Sequence, residues 1–214
     1  MNAEPLGGKS NSSRAAPVIL LTGRPGSGKT TAIRQVVAAL GDRADGFYTR
    51  EVRAAGRRSG FELVTLAGET ALLATQDPDV HFDRPAPFGR YRVNLHAIDA
   101  LGVPALLDAL DGGQVVVVDE IGPMEILSPR FRDAILRILD SQVAVVGAIV
   151  LRPQPFADRV KAHPRVTVRT IATANRDDLP AQILAELVQH GVELDPRKHV
   201  AFAPEPTLDP TKGA

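Results

Sequence analysis

The chain has 214 residues, and 44% of them are hydrophobic, which is enough to bury one sizeable core. Its 25 basic residues balance its 25 acidic residues, so bulk charge gives no reason to expect binding to nucleic acid or to an anionic membrane surface. The sequence has no cysteine, which excludes disulfides, thiolate metal sites and a cysteine nucleophile, and agrees with a reducing compartment.

Both ends of the chain are predicted to be flexible tails around one domain. Residues 1–15 lack the apolar stretch of a secretory signal and are rich in small and polar residues, and residues 196–214 are rich in proline. The longest apolar run, residues 143–151, is far shorter than the roughly 20 residues that a membrane-spanning helix needs. We therefore expect a cytoplasmic protein with one domain over residues 16–195 and no membrane partner.

The first elements along the chain are predicted to be a strand, a glycine-rich loop and a helix. An apolar run at residues 17–22 stops at a glycine, and residues 29–40 place apolar side chains at helical spacing. Two β-prone runs, residues 46–53 and 60–66, predict an antiparallel hairpin. Residues 76–90 contain several prolines and predict an extended connection.

The second half of the chain alternates strands with helices. Residues 91–110 predict a short strand and two helical pieces, with Gly102 ending the first piece and Pro104 in the first turn of the second. Further strands are predicted at residues 114–120, 142–151 and 165–171, and helices at residues 129–139, 155–163 and 177–190. This alternation predicts a three-layer α/β/α domain with a mostly parallel sheet, to which the hairpin is an antiparallel addition.

The segment GRPGSGKT, residues 23–30, satisfies the G-x-x-x-x-G-K-[ST] pattern of a phosphate-binding loop. Gly26 and Gly28 allow the backbone N–H groups to converge on phosphate oxygens, and the amino end of the next helix adds positive potential. Lys29 can reach the β- and γ-phosphates of a nucleotide, and Thr30 can ligate a magnesium ion. The alternative is an ordinary glycine turn with a solvated lysine.

Two acids follow a strand of four valines. Asp119 lies at the strand terminus, where phosphate-loop enzymes place an acid that holds the metal ion. Glu120 is predicted to orient and deprotonate an attacking water, as hydrolysis requires. Because side chains alternate along a strand, we expect the two carboxylates to point in different directions. The alternative for Glu120 is a solvated acid near the next turn.

Arginines that could stabilise charge on a transferring phosphoryl group are plentiful. The candidates are Arg24, Arg50, Arg53, Arg57, Arg58, Arg90 and Arg92, each of which could equally be a solvated surface residue. Asn175 and Arg176 follow a predicted strand and could contact the nucleobase, with the arginine stacked on its ring. The alternative for Asn175 is a helix cap. The five histidines lack the spacing of a metal site.

Several segments together resemble the THEP1-type nucleoside triphosphatases, which are phosphate-loop proteins. They are GRPGSGKTT, DGFYTREVRAAGRRSGFELVTL, GRYRVN, VVVVDEIGPMEI and ANRDDL, in that order, over roughly residues 17–190. The sequence has Pro123 where a lysine is also common in that family, which puts a charged contact there in doubt.

The resemblance implies magnesium-dependent hydrolysis of ATP, GTP and other nucleoside triphosphates with loose base selectivity. By motif, Asp119 would lie beside the metal and Glu120 would be the base. The phosphates would be bound by Gly23, Arg24, Pro25, Gly26, Ser27, Gly28, Lys29, Thr30 and Thr31. Two other functions remain open, because the same loop serves a kinase of a nucleotide or other small acceptor, and a nucleotide-switched binding module.

Overall fold

A computed structural model describes residues 15–54 and 56–196, so the predicted tails lie almost entirely outside the described residues. Nine strands form one sheet within this part of the chain. They are β1 (Val18–Thr22), β2 (Ala44–Ala54), β3 (Arg57–Thr65), β4 (Thr70–Thr75), β5 (Pro85–Phe88), β6 (Tyr91–Asn94), β7 (Val115–Ile121), β8 (Val145–Ile149) and β9 (Val166–Thr170). The helices are α1 (Lys29–Leu40), α2 (Leu95–Ala97), α3 (Val103–Asp111), α4 (Pro129–Leu139), α5 (Pro155–Lys161) and α6 (Leu179–Gln189).

The strand order is β5-β6-β4-β3-β2-β7-β8-β1-β9, and the five strands from β2 to β9 in this order are parallel. Strand β1, which lies between β8 and β9, is buried along its whole length. Alternate β1 side chains enter two separate hydrophobic clusters, since Val18 and Leu20 join one cluster and Ile19 and Leu21 join the other. Apolar side chains of α1 and α6 complete the second cluster, and those of α3 and α4 complete the first. Helices therefore cover both faces, and the predicted three-layer fold is confirmed.

The antiparallel part of the sheet is larger than the predicted hairpin. Strands β2 and β3 form that hairpin, and β4, β6 and β5 continue the sheet outward with antiparallel pairing. The outermost strand β5 contains Pro85 and Pro87, whose missing N–H groups are tolerated at a sheet edge. The sequence analysis took these prolines as the sign of an extended connection over residues 76–90. It therefore missed strand β5.

The helical segment after β6 is continuous, and the prediction that Gly102 ends its first piece is wrong. A π-helical turn over Ile98–Gly102 joins α2 to α3, and Gly102 keeps helical backbone angles, with φ −65° and ψ −48°. A Cβ at this position would lie 2.9 Å from Leu63 Cδ1 and 3.3 Å from Phe47 Cε1. The glycine therefore allows a close approach of helix to sheet.

Candidate functional site

The phosphate loop connects β1 to α1 at the carboxyl edge of the parallel strands. Two of its glycines adopt positive φ, 76° at Gly26 and 101° at Gly28, which residues with a side chain rarely adopt. The Lys29 ammonium donates a hydrogen bond to the Gly23 carbonyl at 3.2 Å, and the Ser27 N–H donates to the Arg24 carbonyl at 3.1 Å. These bonds hold the loop folded around the lysine side chain.

The amino end of α1 is available to an anion, because no side chain caps it. The first N–H groups of a helix have no partner within the helix, and its dipole makes this end positive. Thr30 lines the cavity beside the loop, whereas Thr31 is exposed in the first turn. A phosphate group therefore fits the concavity formed by the loop and the start of α1.

Three buried side-chain oxygens lack a hydrogen-bond partner among the described residues. They are Thr22 Oγ1, Ser27 Oγ and Asp119 Oδ2. Ser27 lies in the phosphate loop, Thr22 ends the strand that leads into it, and Asp119 lies near the end of β7. Buried polar atoms are normally paired, so this concentration of unpaired oxygens indicates a place built for a polar ligand.

Asp119 and Glu120 lie at the end of β7, and both line the same cavity as the phosphate loop. The pairing of β7 with β8 shifts between Val118 and Ile121, the stretch that holds the two acids. Because both acids line the cavity, both carboxylates are available to one ligand. That the two side chains point in different directions stays a prediction.

The two acids have unusual protonation equilibria. Burial raises the pKa of Asp119 to about 6, although a hydrogen bond from Thr30 opposes the shift and the charge of Glu120 adds to it. Burial also raises the pKa of Glu120, and the nearby Lys29 ammonium opposes that shift. A carboxylate with a raised pKa is a better proton acceptor, which suits a general base.

The residues beside the loop fit a magnesium ion. Thr30 and Asp119 supply hard oxygen donors, and Asp119 Oδ2 is buried without a partner among the described residues. Mg²⁺ is usually held by one or two protein oxygens together with substrate phosphates and water rather than by a cage of side chains. The described residues contain no cluster of three or more histidine, cysteine, aspartate or glutamate residues that could hold a metal by themselves.

Glu125 is a buried acid close to Glu120 that the sequence analysis did not single out. It is 5% exposed, and a Cβ on Gly122 would lie 2.7 Å from its Oε2 atom and 3.4 Å from Glu120 Cγ. Burial raises its pKa from 4.5 to about 8, and the charges of Glu120 and Asp119 contribute to the shift. Residue type alone predicts an exposed glutamate, so only the segment DEIGPMEI in which it lies could have drawn attention to it.

Because Glu125 is buried, the free energy of unfolding is expected to fall as pH rises. Between about pH 4.5 and 8 Glu125 is protonated in the folded chain and ionised in the unfolded chain. The free energy of unfolding should therefore fall by up to about 1.4 kcal/mol per pH unit across that window because of this residue. Glu125→Gln removes the contribution, so the stability of the variant relative to wild type should rise as pH increases.

Urea unfolding of both proteins at pH 5, 6, 7 and 8 measures the difference directly, because every other titrating group is common to them. The exposed Glu69, changed to Gln, provides the control and should show a constant difference. A constant difference for Glu125→Gln as well would show that Glu125 is not buried in its neutral form.

The cavity has a volume of about 810 Å³ and extends beyond the phosphate loop. The loop and the end of β7 line it. So do residues 150–152, which follow β8, the strand between β7 and β1. Strands β2 and β3 contribute Thr49, Glu51, Arg58 and Phe61. Pro123 also lines it. A volume of this size is typical of a small-molecule site.

Three arginines line this cavity. Arg24 and Arg58 were among the predicted candidates, whereas Arg152 was missed. Arg58 is paired with Glu51, but Arg24 and Arg152 make no side-chain hydrogen bond or ion pair within the described part of the chain. Arg152 could have been found from its place just after a buried parallel strand, where functional loops gather. The other five candidates do not line the cavity: Arg50, Arg53, Arg57, Arg90 and Arg92.

Asn175 and Arg176 lie in the loop between β9 and α6. The Asn175 side chain accepts a hydrogen bond from the Ala172 N–H and donates one to the Thr170 carbonyl, so it closes the turn rather than capping α6. Arg176 extends toward the phosphate loop, since a Cβ on Gly28 would lie 3.8 Å from its Cδ atom. The loop therefore places a guanidinium beside the β9 side of the phosphate loop.

Among the described residues no helix has the length and apolar character needed to cross a membrane.

Comparison with known proteins gives a consistent result. A family model described as NTPase matches residues 18–184. The chain is 43% identical over 168 residues to the nucleoside-triphosphatase THEP1 of Thermotoga petrophila, which is 78% of this chain and 90% of that protein. The crystal structure of THEP1 from Aquifex aeolicus matches with a TM-score of 0.70 and 34% identity, covering 79% of this chain and 98% of that one. The solution structure of a human cancer-related nucleoside triphosphatase matches with a TM-score of 0.66 and 32% identity, covering 84% and 100%. The chain belongs to the THEP1-type nucleoside-triphosphatase family.

Proposed function

We propose that this protein hydrolyses nucleoside 5'-triphosphates to the diphosphate and inorganic phosphate, using Mg²⁺. The observation that carries the proposal is the meeting of the phosphate loop, Lys29, Asp119 and Glu120 in one cavity. Relatives named nucleoside-triphosphatase support the same reaction. A cytoplasmic location fits a chain that contains no cysteine.

In this proposal the triphosphate binds along the loop from Gly23 to Thr31, with its γ-phosphate next to Lys29 and the two acids. Glu120 orients a water molecule and accepts its proton while the water oxygen attacks the γ-phosphorus. The bond from the γ-phosphorus to the bridging oxygen breaks, and the nucleoside diphosphate leaves. Mg²⁺, held by Thr30 and Asp119, would neutralise charge on the phosphates.

Loose base selectivity follows from the groups available beside the loop. The Asn175 amide is engaged in closing its turn, so it is not preorganised to read a base edge. Arg176 offers a planar guanidinium that can stack on the ring, and stacking tolerates every base. We therefore propose Arg176 as the base contact and Asn175 as the residue that positions its loop.

The proposal is tested by measuring phosphate release from ATP, GTP, CTP and UTP with Mg²⁺ and without any acceptor. We expect all four to be hydrolysed with kcat/KM values within about tenfold of one another, since they share the phosphate contacts. Chelation with EDTA should abolish release, and added Mg²⁺ should restore it. Phosphate that leaves the triphosphate only when an acceptor is added would instead identify a kinase.

A further inference from the structure

The parallel pairing of β2 with β7 stops beside the proposed general base. Its last pair is Tyr48 opposite Asp119. The residues that follow are Thr49 on β2 and Glu120 on β7. Strand β2 continues past this point in its antiparallel pairing with β3. Thr49 and Glu120 are therefore neighbours at the place where the two strands stop pairing.

Thr49 presents its side chain to the same cavity as the two acids. Thr49 and Glu120 both line the cavity that contains the phosphate loop. The alternation of side chains along β2 agrees with this position, because Glu51, two residues further on, also lines the cavity, whereas Arg50 does not. A ligand that meets the Glu120 carboxylate therefore also has access to the Thr49 hydroxyl.

The Thr49 hydroxyl is free to bind a ligand. It makes no hydrogen bond within the described part of the chain, although the side chain is partly buried. Among the described residues that line the cavity, Thr30 is the other one with a hydroxyl group, and it is already proposed to hold Mg²⁺. Thr49 is therefore the neutral polar side chain available beside Glu120.

A carboxylate and a hydroxyl together suit the orientation of an attacking water. The water must direct a lone pair at the phosphorus, and one acceptor such as Glu120 fixes only one of its two hydrogens. A hydroxyl oxygen can accept the other hydrogen, which fixes the orientation of the molecule. A second carboxylate in this place would instead add negative charge beside an anionic phosphate.

We propose that Thr49 holds the attacking water together with Glu120 and is a further catalytic residue for the hydrolysis. The water donates one hydrogen to Glu120 and the other to Thr49 Oγ1. As its oxygen bonds to the γ-phosphorus and the bond to the bridging oxygen breaks, the first hydrogen passes to Glu120 as a proton. The second stays on the oxygen that enters inorganic phosphate. The assignment rests on the proposed function and deepens it by naming a second contact to the water.

Thr49→Val tests the contact, because it replaces the hydroxyl by a methyl group of similar size and keeps a residue that favours a strand. We expect kcat for phosphate release from ATP to fall by about 10- to 10²-fold, since the water loses one of its two fixed directions. Affinity for the non-hydrolysable imido analogue of ATP should stay within about twofold of wild type, which also shows that the variant is folded.

Thr49→Ser keeps a hydroxyl and should restore kcat to within about threefold of wild type. The matched control is Thr70→Val, which makes the same change at an exposed position on β4 outside the cavity and should leave kcat unaltered.

A double variant tests whether the two residues act on one water. Single-turnover hydrolysis of labelled ATP is measured for Thr49→Val, for Glu120→Gln and for the two changes combined. If both side chains act through the same molecule, adding Thr49→Val to Glu120→Gln should slow the reaction by less than about threefold further.

The proposal is overturned if Thr49→Val keeps wild-type kcat, if Thr49→Ser is as slow as Thr49→Val, or if the two losses multiply in the double variant. A loss that appears in analogue affinity rather than in kcat would also overturn it. Failure of the wild-type protein to release phosphate from ATP without an acceptor would instead contradict the proposed function.

Discussion

Glu120→Gln is expected to lower kcat for triphosphate hydrolysis by about 10²- to 10⁴-fold, the range that general base catalysis contributes. The glutamine keeps the size of the side chain and can still hold a water, but its amide cannot accept the water's proton. Affinity for the triphosphate should change by less than about threefold, because the phosphate contacts come from the loop and Lys29. The effect should therefore appear in kcat and not in binding of a non-hydrolysable analogue.

Steady-state phosphate release measures kcat, and titration of a non-hydrolysable analogue measures affinity. Glu69→Gln makes the same chemical change at an exposed position outside the cavity and should leave both unaltered. Turnover that persists in Glu120→Gln would remove Glu120 from its proposed role and would direct attention to another proton acceptor in the cavity.

Lys29→Ala is expected to lower kcat/KM by about 10²-fold or more, the cost of removing one preorganised charged donor from a phosphoryl transfer site. The ammonium now donates to the Gly23 carbonyl, so it is already held within the loop before any nucleotide arrives. Removing it takes away the cation proposed to contact the β- and γ-phosphates. Unlike Glu120→Gln, this change should weaken nucleotide binding as well as turnover.

Loss of one partly buried hydrogen bond should reduce stability only by about 0.5–1.5 kcal/mol, so the variant should remain folded. The control is Lys161→Ala, which removes a lysine that pairs with Asp158 on α5, far along the chain from the loop. Normal affinity for the analogue in Lys29→Ala would contradict the proposed position of the triphosphate.

The parallel half of the fold could be predicted because its signals are local. The motif of the phosphate loop and the run of four valines each depend only on neighbouring residues. The antiparallel extension was only partly predicted. Strands at a sheet edge tolerate proline and short length, so β5 resembles a connection in sequence.

The candidate site was predictable to the extent that its residues belong to motifs. Gly23 to Thr30, Asp119 and Glu120 could be named because their order and spacing are typical of a site that binds phosphate. Glu125 and Arg152 were not named. The position of Arg152 just after a buried parallel strand was a usable signal, whereas the burial of Glu125 depends on packing around Gly122 that its residue type does not reveal.

The central claim is that water, activated at Glu120, attacks the γ-phosphorus of a triphosphate bound at the phosphate loop. Hydrolysis of ATP in water enriched in oxygen-18, without any acceptor and with Mg²⁺, tests it most directly when the products are analysed by mass spectrometry. The account predicts one labelled oxygen in each inorganic phosphate and none in the ADP. Label in the ADP, or no phosphate release until an acceptor is supplied, would contradict it.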